Sequence, residues 1–141
     1  MKENIFKTIY YNKFKIKWYL FDCKKKKLGR LSSLIANILI GKYNIFYTPN
    51  SISNNKIILI NINKIIFKKK KKYINYTGYP GGKKIKSFKY LLTKNPKKIL
   101  LHSILGMIKN NLLKKYIKKN IFLYTSNERF IINNKYIKLN L

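Results

Sequence analysis

Residues 77–82 read Thr-Gly-Tyr-Pro-Gly-Gly; Lys83 and Lys84 follow, and a lysine run over 68–72, then Tyr73 and Tyr76, precedes. Glycines this dense let the backbone take positive φ and come close to a bulky anion, and the flanking lysines supply the charge that phosphate demands. The stretch is not a nucleotide-binding P-loop. That motif needs a glycine five residues before Gly82 and Ser or Thr after Lys83, where this chain has Thr77 and Lys84.

Other chemistries fail for want of groups. The acids are Glu3, Asp22 and Glu128, and His102 is the single histidine. Acid–base catalysis rests on paired carboxylates or on an oriented histidine, and metal sites on clustered ligands. Neither pattern is present, so the expectation is no enzyme, no metal and no cofactor, with His102 structural inside a helix. The lone Cys23 excludes an intrachain disulfide and reads as a small buried hydrophobe. Aromatics do interleave with the lysines, at Tyr73, Tyr76, Tyr79 and Lys89-Tyr90. A lysine neutralises phosphate while an aromatic face stacks on an unpaired base.

The whole chain repeats this bias. Lys and Arg number 33 against three acids, a formal charge of +30 in 141 residues. AT-rich codon usage explains lysine over arginine, which occurs only at Arg30 and Arg129, but not the missing acids, whose codons tolerate AT-richness too. Such a chain repels itself unless a polyanion is near. No apolar run reaches the roughly 18 residues a membrane helix needs, and the first residues lack a secretory pattern.

The length suits one domain with a real core, burying roughly 68–70% of the unfolded surface. An apolar run over 18–21 ending at Asp22 predicts a strand covered on both faces. Lys24, Lys25, Lys26 and Lys27 make a basic turn. Apolar residues at helical spacing predict a helix over 28–40, with Gly41 as its left-handed cap. Strands are expected over 57–62 and 65–67, with 61–64 a kink or turn between them. A short helix opens at Ser87, and Asn95-Pro96 caps another running to about 108. A basic amphipathic helix is expected over 110–120, with Leu112, Leu113, Tyr116 and Ile117 on its apolar face, then a strand over 121–124. The division is a basic extension over 1–15, an α/β core over 16–124 and a polar tail over 125–141.

Laid end to end, these motifs resemble the bacterial ribosomal large-subunit protein L13 family. Trp18-Tyr19 to Asp22, Leu28-Gly29-Arg30-Leu31, Gly41-Lys42, Tyr47-Thr48-Pro49, Tyr73, the 77–82 stretch, Gly106-Met107 and Asn127-Glu128 follow that family's order and spacing. The resemblance implies a three-layer α/β/α fold with a small, mainly parallel sheet. It also implies a place on large-subunit ribosomal RNA among neighbouring large-subunit proteins, and a role early in subunit assembly. The RNA-contacting candidates are Lys24 to Lys27 as named above, Arg30, Lys42, Tyr47 and Thr48. Around the glycine stretch they are Lys70, Lys71, Lys72, Tyr76, Thr77, Gly78, Tyr79, Gly81, Gly82, Lys83 and Lys84, and further on Lys109, Lys114, Lys115, Lys118 and Lys119. This chain departs from the family in having Tyr76 in place of a histidine, Lys109-Asn110-Asn111-Leu112 in place of a Pro-Lys-Gly-Pro segment, and Lys115 and Lys119 in place of arginine. Arg129-Phe130-Ile131 replaces a histidine-rich stretch.

Two other classes share the charge. A nucleoid or DNA-binding protein would show a helix-turn-helix, zinc finger or basic zipper, none of which is written here. A membrane-surface protein could use the 110–120 helix, but an α/β core accounts for that apolar face more simply. The expected setting is the cytoplasmic ribosome of an AT-rich bacterium, or else an organelle's ribosome, with no membrane partner and no homo-oligomer.

Overall fold

The computed structural model describes residues 16–45, 47–66, 72–125 and 136–139. The 1–15 extension, Phe67, Lys70, Lys71 and the Asn127 to Ile131 motifs lie outside these residues.

Strand β1 (Trp18–Asp22), helix α1 (Leu28–Ile40) and strand β2 (Lys56–Ile60) form a parallel β-α-β unit. Strand β5 (Ile121–Leu123) adds in parallel to β2, and β6 (Tyr136–Leu139) in parallel to β1, giving the order β5-β2-β1-β6. Between β2 and β5 run the antiparallel hairpin β3 (Lys72–Tyr76) and β4 (Lys83–Ser87), then α2 (Phe88–Lys94), α3 (Pro96–Gly106) and α4 (Leu113–Lys119). This is the expected α/β class with a mainly parallel sheet.

The register pairs Tyr19 with Ile57 and Phe21 with Leu59, so these side chains share one face of the sheet. That face joins Leu31, Ile35 and Leu39 of α1 and Leu100 and Ile104 of α3 in a single apolar cluster. Burying each such side chain contributes roughly 1.5–3 kcal/mol. All four helices contribute side chains to this cluster. Trp18, Leu20, Ile58 and Phe122 alternate onto the other face. There Trp18 stacks on Phe122 at 5.6 Å between ring centroids, and the Lys56 ammonium sits 4.7 Å from the Trp18 ring. Ile57 and Ile58 are both buried, so β2 is covered on both faces, as a central parallel strand must be.

Helix α1 ends as its sequence says. Gly41 takes φ 84°, and its N–H donates to the carbonyls of Asn37 and Ile38 at 3.0 and 3.1 Å. Ser53 Oγ donates to Leu39 O at 2.7 Å and Asn55 Nδ2 to Ile38 O at 2.8 Å, so the last-turn carbonyls are satisfied by side chains from the loop before β2. A Cβ on Gly41 would lie 2.5 Å from Ser53 Cβ. Both backbone conformation and close packing therefore require glycine here.

Several sequence expectations are corrected. The expected strand over 57–62 stops at Ile60, because Asn61 turns into the left-handed region at φ 57° and starts a 3-10 turn, Ile62–Lys64. Beyond it, Ile66 makes an isolated parallel bridge to Lys27, and the expected strand over 65–67 runs on into Phe67, outside the described residues. Asn95 does not cap α3 with its side chain; as the shared joint of α2 and α3, its N–H donates to Leu91 O at 2.8 Å and its carbonyl accepts from Lys98 at 3.1 Å. The basic helix spans Leu113–Lys119, shorter than 110–120, because residues 109–112 form a turn in which Lys109 O accepts from the Asn111 N–H. Its apolar face is correspondingly narrower: Ile117 is buried, but Leu112 and Tyr116 are 76% and 57% exposed. The sheet also takes β6 from the segment read as a polar tail.

Candidate nucleic-acid interface

The 77–82 stretch closes the β3–β4 hairpin. Thr77 N–H donates to Gly82 O at 3.1 Å and Gly82 N–H to Tyr79 O at 2.9 Å, which makes Tyr79-Pro80-Gly81-Gly82 a β-turn. Proline at its second position and Gly81 at φ 69° in the third define a type II turn. Gly82 is required for a different reason. A Cβ there would collide with the Thr77 hydroxyl and lie 2.8 Å from Tyr79 O. The turn projects Gly78, Tyr79 and Gly81 into solvent, with Lys72, Tyr76, Lys83 and Lys84 exposed along the strands behind it. Because Tyr76 pairs with Lys83 and Ile74 with Ile85, the outward face alternates cations with apolar and aromatic groups. The inward face is anchored by Tyr73, 6.3 Å from the Phe88 ring and edge-on to His102 at 5.4 Å. Burial pushes the Tyr73 phenol up, with a hydrogen bond to Ser103 acting against it.

A second cationic region is the turn between β1 and α1. Lys24, Lys25, Lys27 and Arg30 are exposed and Lys26 half-buried. Lys25 adopts φ 57°, its N–H donates to Lys64 O at 3.0 Å, and Lys26 O accepts from Ile66 at 2.9 Å. This basic turn is thus fixed against the segment after β2. Asp22, the only acid among the described residues, is committed inside it, accepting from Lys24 N–H and Asn61 Nδ2, each at 2.9 Å. Beside it Cys23 is fully buried, its thiol pushed up to about 12 by desolvation and by the Asp22 charge.

The third region lies past the other end of α1, roughly 18 Å away at 1.5 Å per residue. Here Lys42, Tyr47 and Lys109 converge on a groove of about 260 Å³ with Met107, Asn111 and Leu113, above Leu39, Ile108 and Ile117. Thr48 does not face an open site in the same way: its hydroxyl donates to Ser51 Oγ at 2.7 Å while its carbonyl accepts from Ser51. It shapes the groove's loop. On α4, Lys115, Lys118 and Lys119 are exposed and Lys114 is half-buried.

Sequence reasoning missed one hollow of about 70 Å³, lined by Tyr73, Asn75, Lys86, Lys98, Ile99 and His102. His102 lies within α3, as expected, with its ring edge-on to Tyr73. No local sequence signal marks the hollow, because it is the hairpin register that sets Lys86 opposite Tyr73. Sequence reasoning also missed Met107, Asn111 and Leu113, which only the chain reversal after α3 brings beside Lys42.

The arrangement defines a class of protein: a parallel α/β domain carrying cations at three separated places, with no cluster of metal-ligating groups among the described residues. The profile of the family Ribosomal protein L13 matches residues 16–129. Large ribosomal subunit protein uL13 of Mesomycoplasma hyopneumoniae strain 7448 is 35% identical over 132 residues, covering 91% of this chain and 90% of that one. The same-named protein of Petrotoga mobilis is 40% identical over 114 residues, with 78% and 76% covered. Large ribosomal subunit protein uL13c of Gracilaria tenuistipitata var. liui is 41% identical over 116, with 78% and 80% covered. The chain belongs to the ribosomal protein L13 family.

Proposed function

We propose that this protein is a structural constituent of the large ribosomal subunit that binds large-subunit ribosomal RNA and supports early subunit assembly and translation, beside neighbouring large-subunit proteins and without forming a homo-oligomer. The observation that carries this is the separation of its cationic regions, at the hairpin tip, the β1–α1 turn and the groove beyond α1. A small anionic ligand would need them gathered. A folded polyanion wide enough to touch all three does not. The hairpin's alternation of lysine and aromatic groups suits a strand with both phosphates and bases. The setting is the ribosome of an AT-rich bacterium or of an organelle.

Sedimentation of the tagged protein tests this. It should travel with large-subunit particles, and its affinity for their RNA should fall about a thousandfold between 50 and 200 mM salt if six or so phosphates are neutralised. Recovery with nucleoid or lipid instead, or an affinity indifferent to salt, overturns the proposal.

A further inference from the structure

The groove beyond α1 pairs an apolar floor with a cationic rim, and those two properties belong to different parts of one kind of ligand. We infer that it receives a single unpaired nucleobase of the bound RNA, an inference that rests on the RNA-binding reading. Leu39, Ile108 and Ile117 form a surface suited to the flat apolar face of a base, and Tyr47 lines the groove with a ring on which a base can stack. Lys42 and Lys109 stand where the phosphates on either side of an extruded nucleotide would pass. Asn111 Oδ1 accepts from Lys114 N–H at 3.3 Å, which leaves the amide NH2 to donate to a base edge. At about 260 Å³ the groove falls just below the roughly 300–1,000 Å³ of sites for drug-sized ligands, a size for one ring system and not for a run of stacked bases.

The walls are built beforehand. Lys42 N–H donates to Asn37 O at 3.0 Å directly after the Gly41 cap, and Tyr47 N–H to Asn44 O at 3.1 Å, while Thr48 and Ser51 close the loop behind them. An apolar side chain from a protein partner would fill the floor yet leave both lysines without a counter-charge. A nucleotide uses floor and rim together.

The test compares two RNA hairpins identical except at one bulged position, which carries adenosine in one and an abasic residue in the other. At matched salt the protein should prefer the adenosine hairpin about fivefold or more, since stacking one base on an aromatic side chain contributes at least about 1 kcal/mol. Tyr47→Ala should abolish the preference, and a circular dichroism spectrum matching the wild type's reports that the variant is folded. Tyr47→Phe should retain the preference. If Tyr47→Ala does not fold, Leu113→Trp, which fills the groove without altering charge, decides in its place by whether the preference is lost. No preference in the unaltered protein, or a preference that survives Tyr47→Ala, overturns the inference while salt-dependent binding of both hairpins leaves the RNA-binding reading standing. Binding of neither hairpin overturns both.

Discussion

The side-chain amide of Asn61 donates to Asp22 Oδ1 over 2.9 Å, joining the ends of the two adjacent central strands across 39 residues of sequence. Asn61 reaches this position because it sits in the left-handed region that ends β2. The carboxylate is spent on organising the β1–α1 turn, so it offers little neutralisation to the lysines beside it.

Stability should therefore fall on acidification. Burial opposes ionisation of Asp22, but donation from Asn61 and Lys24 and the charges of Lys24 and Lys138 outweigh it, holding the carboxyl below its ordinary 3.8. A folded-state value below the unfolded one favours folding above pH 4 or so and loses that contribution as pH drops through the folded value. Thermal melts between pH 5 and pH 2 should show the decline. Asp22→Ala should flatten its Asp22-dependent part and cost about 1 kcal/mol at neutral pH by orphaning the buried Asn61 amide. A melting temperature equal to wild type at pH 7 would count against this.

Cys23 should be inert while the protein is folded. Its burial and high proton affinity leave almost no thiolate at pH 8. Iodoacetamide should leave the native chain unmodified at pH 8 and alkylate it readily in guanidinium. Alkylation at comparable rates in both states would show that this end of β1 opens freely.

Ser32 lies fully buried in α1, and its hydroxyl has no hydrogen-bond partner among the described residues. Ser32→Ala relieves the desolvated hydroxyl and improves helix propensity, and should stabilise the protein by about 1 kcal/mol, a rise of about 3 °C in Tm. A fall in Tm would mean that the hydroxyl bonds to something in solution.

The glycine turn should respond to shape more than to charge. Gly82→Val collides with Thr77 and the Tyr79 carbonyl, Gly81→Val strains a positive φ in open space, and Lys83→Ala removes one cation among 33 Lys and Arg. Occupancy in large-subunit particles should drop most for Gly82→Val, less for Gly81→Val and least for Lys83→Ala. Because both hairpin strands are largely exposed, the core's melting temperature should barely change in all three. Equal losses for Lys83→Ala and Gly82→Val would transfer the role from the turn's shape to its charge.

The parts of this fold that are legible in sequence are those whose periodicity is local. The stripe Leu28, Leu31, Ile35, Ile38 and Leu39 and the stop at Gly41 give α1 to the residue. The hairpin strands carry no strand signal, because Lys72 to Tyr76 and Lys83 to Ser87 are mostly exposed on both faces and show no buried alternation. The end of β2 depends on one Asn adopting a positive φ, which its apolar neighbour Ile62 conceals. Charge marked Lys42 and Lys109 as candidates, but nothing local says that they share a groove with Tyr47. That pairing is made by the packing of α1 against α3.

The pairing of Trp18 with Tyr136 has a cost in time. At 5–20 residues per second, the strand that flanks β1 emerges roughly 6 to 24 s after β1 itself. Until then β1 has an open edge in every nascent chain, able to template strand pairing with another molecule. The same dense positive charge that awaits RNA keeps two such chains apart during the interval. A variant stripped of lysines would therefore be expected to aggregate during synthesis before any loss of binding could be measured.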